Sequence, residues 1–271
     1  MQVINEPSAA PEELKETFER QGYCHIRGLF NEEEVEDIKT HFEEIHSNGP
    51  VKGYFEPVPE SEAGGDVLKV YPRFVHPHRF TEKAKNYMLH PKVEAVLREL
   101  LGTQPLALQS MYYYKPPGAL GQAMHQDNLY LMVEPGTCIA AWTAIDDADA
   151  KNGGMAVVPK TDDMDIVCPG LADKTKSFTG HLVKAPKGKR AVIPNMKAGD
   201  TLFFNGSLIH GSGPNRSKDR WRRSFIGHYA PDYSEKLARF YFPVLDFEGN
   251  EVTKAVNKDG GPCGTEWDAP H

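Results

Sequence analysis

A β-rich domain with helices packed on it is what this sequence predicts, and two observations carry the prediction. From residue 105 to about 232 the chain is a series of short runs: LALQSMYYYK, AMHQDNLYLMV, TCIAAWTAID, GMAVVP, HLV, AVIP, DTLFF and SFIGHYAP. Gly, Pro and Asn break these runs, and many short strands bounded by turn residues point to a sandwich, barrel or jelly roll. From about 11 to 102, by contrast, apolar residues recur at helical spacing. Helices first and strands second, with no low-complexity linker between them, favour one domain over residues 1–271. That length suits a single mainly β domain with flanking α-helices.

Each element has a local reason. Residues 11–21 place Leu14, Phe18 and the stem of Gln21 on one side of a helix. GYCHIRGLF, 22–30, reads as a short strand between glycines. Asn31 is a good N-cap, and Glu34 three residues later is close to a capping-box arrangement. Val35, Ile38, Phe42 and Ile45 then give a helix over 31–46. Residues 47–66, rich in Gly, Pro and Glu, read as a loop. A third helical pattern covers 81–101, is interrupted near His90-Pro91 and is closed by Gly102. Residues 160–200 are polar and Lys-rich and read as an insertion over one end of the β core. The tail after 247 reads as loop.

Bulk properties exclude several function classes. Hydrophobic residues make up 39% and charged residues 25% of the chain, as expected of a soluble globular protein. A net charge of −7 spread along the chain argues against nucleic-acid binding. No apolar run approaches 18 residues and no basic leader precedes one, so neither a membrane span nor a signal peptide is expected. Cys24, Cys138, Cys168 and Cys263 form no C-x-x-C, which predicts neither structural zinc nor a disulfide scaffold. A reducing cytoplasm is the corresponding expectation.

The chemistry concentrates in AMHQDNLY, 123–130. On a strand, His125 and Asp127 point to one face and Gln126 to the other. Such a pair suits an ordinary strand edge, or two of three ligands of a metal centre. The third candidate is His210, in LFFNGSLIHGSGPNRS, where glycines permit a sharp turn and close approach. Two histidines and a carboxylate on one face of an octahedron leave open positions that suit non-heme Fe(II). His41-Phe42-Glu43 lies in a helix, where i and i+2 face apart, and reads as surface. His76-Pro77-His78 reads as a solvated loop. In RWRRSFIGHY, Arg220 and Arg222 share one strand face and Arg223 takes the other. An inward guanidinium needs an anion, and a carboxylate is its best match.

Several segments together resemble the phytanoyl-CoA dioxygenase family of Fe(II)/2-oxoglutarate oxygenases. They are FERQGYCHIRGLFNEEEVEDI (18–38), MYYYKPPG (111–118), His125-x-Asp127, AWTAIDDADAKNGGMAVVP (141–159), HGSGPNRS with His210, and Arg222-Arg223. The resemblance implies a double-stranded β-helix core, a jelly roll of cupin type. It implies Fe(II) on His125, Asp127 and His210, with O2 and 2-oxoglutarate as co-substrates. The distal carboxylate of 2-oxoglutarate is expected on Arg222, with Arg220 as alternative, and Lys69, Met111 and Trp142 nearby. A small-molecule substrate is implied, with Asn128 and Tyr130 as its candidate contacts. The family often has P-G-S-H where this chain has Pro159-Lys160-Thr161-Asp162, so its substrate does not transfer. Asp127 stands where related halogenases have a small residue, which argues against halogenation. A cupin-type metalloenzyme without 2-oxoglutarate would not need Arg222 or Lys69, and a non-catalytic binding protein would not need the three ligands.

Overall fold

The computed structural model describes residues 11–258 and, beyond them, 261, 263, 264 and 270. The N-terminal part contains α1 (Pro11–Gln21), β1 (Tyr23–Ile26), α2 (Glu32–Asn48), α3 (Val67–Val70), β2 (Phe74–Val75), α4 (Glu82–Met88) and α5 (Pro91–Leu101). The capping box predicted at Asn31 forms: its side chain accepts from Glu34 N, and Glu34 accepts from Asn31 N. Between α4 and α5, His90 caps the second helix and Pro91 occupies its first turn, so the predicted interruption is a full break.

The core follows as β3 (Pro105–Tyr113), β4 (Gln122–His125), α6 (Asn128–Leu131), β5 (Ile139–Ala144) and β6 (Met155–Val157). The polar segment carries β7 (Gly170–Leu171) and β8 (His181–Leu182), a two-stranded hairpin. Next come β9 (Thr201–Asn205), β10 (His210–Ser212) and β11 (Ser224–Pro231). The tail is not all loop. After β12 (Lys236–Leu237) and β13 (Val244–Leu245), it contains β14 (Glu251–Val252) and β15 (Ala255–Val256).

An eight-stranded sheet runs β1-β9-β5-β11-β3-β13-β14, with β2 added on β3; a three-stranded sheet runs β4-β10-β6. The large sheet is buried on both faces, and alternation divides it cleanly. Tyr112, Ala141, Phe203 and Phe225 face out into a cluster with Ile38 and Phe42 of α2 and Val93 and Leu97 of α5. Phe42 stacks on Tyr112 with ring centroids 4.0 Å apart. Met111, Trp142, Leu202 and Ile226, in register with one another, face in. They meet the small sheet across a cavity, which gives the jelly-roll core.

The cysteine expectation is corrected. Cys168 and Cys263 form a disulfide, Cα–Cα 5.5 Å, across 95 residues of sequence. It ties the tail to the polar segment, and nothing in the local spacing of either cysteine could announce it. The ground for expecting a reducing compartment falls with it. Among the described residues no helix is long and apolar enough to cross a membrane.

Candidate active site

The cavity between the sheets, about 420 Å³ including its mouth, is lined by His125, Asp127, His210, Arg222, Met111 and Trp142 among others. It thus gathers the three expected iron ligands and three of the four expected co-substrate residues.

The route to Asp127 differs from the strand alternation read from sequence. β4 ends at His125, and Asp127 already has helical backbone, φ −61° and ψ −39°, at the start of α6. Gln126 stays out of the cavity wall, as expected, but is buried in the turn: its amide donates to Ser207 O and accepts from Val167 N. Leu129 and Leu131 anchor α6 in a buried apolar cluster. The turn, not the pleat, brings the carboxylate back toward His125.

His210 arrives from β10, directly opposite His125 in the β4–β10 register. Gly211 makes that approach possible. A Cβ there would meet Gln122 O at 2.8 Å and Met124 Cα at 3.0 Å. The Nε2 atoms of His125 and His210 both lie 3.3 Å from Asp127 Oδ1. One ligand atom from each of the three residues falls within 4.8 Å of the others.

Outer contacts prepare these atoms for a cation. His125 Nδ1 donates to Ala123 O at 2.8 Å, and His210 Nδ1 donates to Leu208 O at 2.9 Å. With Nδ1 protonated, each Nε2 presents a lone pair to the centre. Burial alone would raise the Asp127 carboxyl, but His210 and His228 hold it well below the ordinary carboxylate range. Burial and the neighbouring His210 push His125 down. Burial would lower His210 too, but Asp127 reverses this and raises it. The spot stabilises positive charge, and two imidazoles with one carboxylate are the donor set of a non-heme iron centre.

Sequence reading missed His228. On β11, its Nε2 lies 3.1 Å from Asp127 Oδ2. By donating there it leaves Oδ1 for the metal. The signal was available, because His228 sits two residues past Ile226 on the inward face, but only with the site already located.

The second pole is Arg222. It is buried at 3% exposure, lies over Trp142 at 5.3 Å and donates from Nη1 to Ser224 Oγ at 2.8 Å. Its Nε has no partner, and burial pushes its pKa down to about 10. Arg220 instead pairs with Asp149 at 2.7 Å, partly exposed and outside the cavity wall. Arg223 pairs with Asp146 at 2.7 Å and with Glu43, so the helical H-x-E motif contributes its glutamate to an ion pair.

Lys115 is a second unforeseen residue here. Wholly buried, its Nζ donates to Ser212 Oγ and Gly213 O, both at 2.8 Å. Burial, reinforced by Arg222, holds its pKa well below the usual lysine range. Ser212 Oγ, in the cavity wall, also accepts from Gln122 N at 3.4 Å. With its lone pairs so engaged, the hydroxyl proton is left to donate into the cavity.

Other expectations are corrected. Lys69 is exposed on α3, outside the cavity wall, because Asp66 caps that single helical turn and directs it along the surface. Asn128 closes the turn of α6, with its amide joined to both the N–H and the C=O of Val133, and it does not line the cavity. Tyr130 is buried with its ring 6.4 Å from that of His125, beside the site rather than in its wall. His76 and His78 are buried, not solvated, and burial pushes them down to about 2 and about 3.

Comparison with known proteins agrees with this geometry. The phytanoyl-CoA dioxygenase (PhyH) family model matches residues 18–224. Phytanoyl-CoA dioxygenase 1 of Oryza sativa subsp. japonica is 29% identical over 141 residues, 52% of this chain and 50% of that protein. A probable phytanoyl-CoA dioxygenase of Caenorhabditis elegans is 29% identical over 252 residues, covering 84% of this chain and 77% of that one. The fold is similar to that of the epimerase SnoN, solved with Fe3+, alpha ketoglutarate and nogalamycin RO. The TM-score is 0.66 at 20% identity, over 83% of this chain and 85% of that one. The chain belongs to the phytanoyl-CoA dioxygenase family and is a 2-oxoglutarate-dependent non-heme iron dioxygenase.

Proposed function

We propose that this enzyme hydroxylates an aliphatic C–H of a small-molecule metabolite, with conversion of 2-oxoglutarate to succinate and CO2. The observation that carries this reading is the two-pole cavity. One pole holds three candidate metal donors, and the other holds a buried guanidinium that forms no ion pair among the described residues. His125, Asp127 and His210 would hold the iron, which with 2-oxoglutarate supplies the oxidising power when bound. His228 keeps Asp127 oriented. Arg222 and the hydroxyls of Ser224 and Ser212 receive the distal carboxylate of 2-oxoglutarate by charge-assisted hydrogen bonds. Met111, Trp142 and Ile226 exclude water from the space between the poles.

A metalloenzyme without 2-oxoglutarate would leave Arg222 buried and uncompensated, which costs free energy with no return. The test is succinate release from 2-oxoglutarate with Fe(II) and O2. It is expected in the wild type above that in His125→Ala. Failure of the wild type to consume 2-oxoglutarate under these conditions contradicts the reading.

A further inference from the structure

Beside the cavity stands a second cation that neither iron nor co-substrate accounts for. Arg73, just before β2, is half-buried. Its Nη1 donates to the hydroxyl of Tyr113 at 2.9 Å. Its guanidinium lies 5.7 Å from the ring centroids of both Tyr113 and Phe178. Tyr113 is itself part of the cavity wall, half-buried, and so connects the interior to Arg73. Phe178, 36% exposed, comes from the polar segment 160–200 and covers the other side. The hydroxyl of Tyr130 is within electrostatic reach of both Arg73 and Asp127.

Arg73 differs from the arginines that are held in ion pairs, and shares its lack of a carboxylate partner among the described residues with Arg79, which donates instead to Phe240 O. The chain has 38 acidic residues against 31 Lys and Arg, so an acidic neighbour is easily supplied. Arg98, Arg220 and Arg223 each have one. Arg73 pairs with no carboxylate among the described residues, and its one side-chain hydrogen bond is to Tyr113. A planar guanidinium flanked by two rings, bonded to a described side chain through Nη1 alone, presents its other edge to a bidentate anion. Arg222, in the cavity wall and buried, also has no ion pair among the described residues, and in the function proposed above it receives the co-substrate carboxylate.

We propose that Arg73, with Tyr113, is the recognition site for an anionic group of the substrate, a carboxylate or phosphoryl. The inference rests on the oxygenase reading of the cavity. The head group sits on Arg73 under Phe178, and the rest of the substrate passes Tyr113 toward His125 and Asp127. The enzyme therefore selects acids over neutral analogues of the same skeleton.

The test uses the full chain loaded with Mn(II) and saturating 2-oxoglutarate without O2, so that the metal and Arg222 are already engaged. Methylphosphonate and propionate are the probes, followed by paramagnetic relaxation of their 31P and methyl 1H signals, with His125→Ala as the blank. Saturable relaxation by either probe is expected in the wild type, and the tighter probe identifies the head group. Arg73→Gln is expected to weaken it about tenfold or more, as loss of a charged hydrogen bond requires, while Arg73→Lys weakens it less. Retention of 2-oxoglutarate on dialysis reports that each variant is folded and loaded. Retained 2-oxoglutarate with no saturable relaxation, or with equal affinity in wild type and Arg73→Gln, overturns this inference alone. A wild type that retains no 2-oxoglutarate overturns it together with the oxygenase reading.

Discussion

Arg222 and Arg223 are neighbours in sequence and differ in almost everything else. Arg223 turns to the outer face of the large sheet, where Asp146 and Glu43 meet it and raise its pKa despite burial. Arg222 turns inward to the cavity, where Ser224 takes one donor and Nε has no partner. The first is a structural ion pair closing the join between sheet and helices. The second is a buried charge that the protein's own stability does not explain. The same contrast separates the two faces more widely. The outer face is filled by stacked rings such as Phe42 on Tyr112, whereas the inner face converges polar atoms on one point. A face held for structure pairs its charges, and a face held for chemistry leaves them for a ligand.

The sharpest way to break this comparison is to neutralise each arginine. Arg222→Met is expected to raise KM for 2-oxoglutarate by about 100-fold, the scale of lost charged hydrogen bonds. In the absence of co-substrate its melting temperature should hold or rise, because an unpaired buried charge is gone. Arg223→Met should do the reverse, lowering the melting temperature and leaving that KM within about twofold. Equal effects on KM and on melting would erase the distinction.

His228→Leu tests whether the inner face extends to outer contacts of the metal. Fe(II) affinity is expected to fall about 10-fold to 100-fold, the usual cost of removing such a partner. Equilibrium dialysis against a competing chelator measures it, and unchanged affinity would reduce His228 to packing.

A smaller effect belongs to the outer edge of the sheet. Burial would raise Asp200, but hydrogen bonds from His25 and from Lys197 N and Gly28 N hold it below its ordinary value. Its stabilising contribution is therefore fully present above the unfolded value of about 3.9 and is lost as pH falls through the lower folded value. Thermal melts between pH 7 and pH 3 should show a shallower decline for Asp200→Asn than for the wild type. Least affected of all, Lys69→Ala should leave KM for 2-oxoglutarate within about twofold. A tenfold rise would restore Lys69 to the co-substrate pocket despite its exposure.

Much of this molecule is legible in its sequence. Helices α1, α2 and α5 announced themselves through caps and apolar spacing, and the β texture after residue 105 marked the core. The candidate metal donors were legible because the segments around His125, Asp127 and His210 resemble those of one family in order and spacing, whereas the H-x-D pair alone suited a strand edge equally well. What escaped depends on long-range placement. AMHQDNLY looked like one strand, yet the chain turns into α6 after His125, because Gln126 is held by Ser207 and Val167 from elsewhere in the fold. Lys115 and His228 gain their roles only when the sheets fold together, with Lys115 reaching Ser212 across 97 residues. The Cys168–Cys263 bond joins two segments that share no local pattern.

The central claim is that the cavity binds Fe(II) and 2-oxoglutarate together, between three donors and Arg222. Anaerobic titration of 2-oxoglutarate into the Fe(II) protein, followed by visible absorbance, tests it most directly. The account predicts a weak, saturable charge-transfer band in the wild type, absent in His125→Ala and requiring about 100-fold more 2-oxoglutarate in Arg222→Met. A wild type that binds Fe(II) but develops no band, or an Arg222→Met titration identical to wild type, would contradict it.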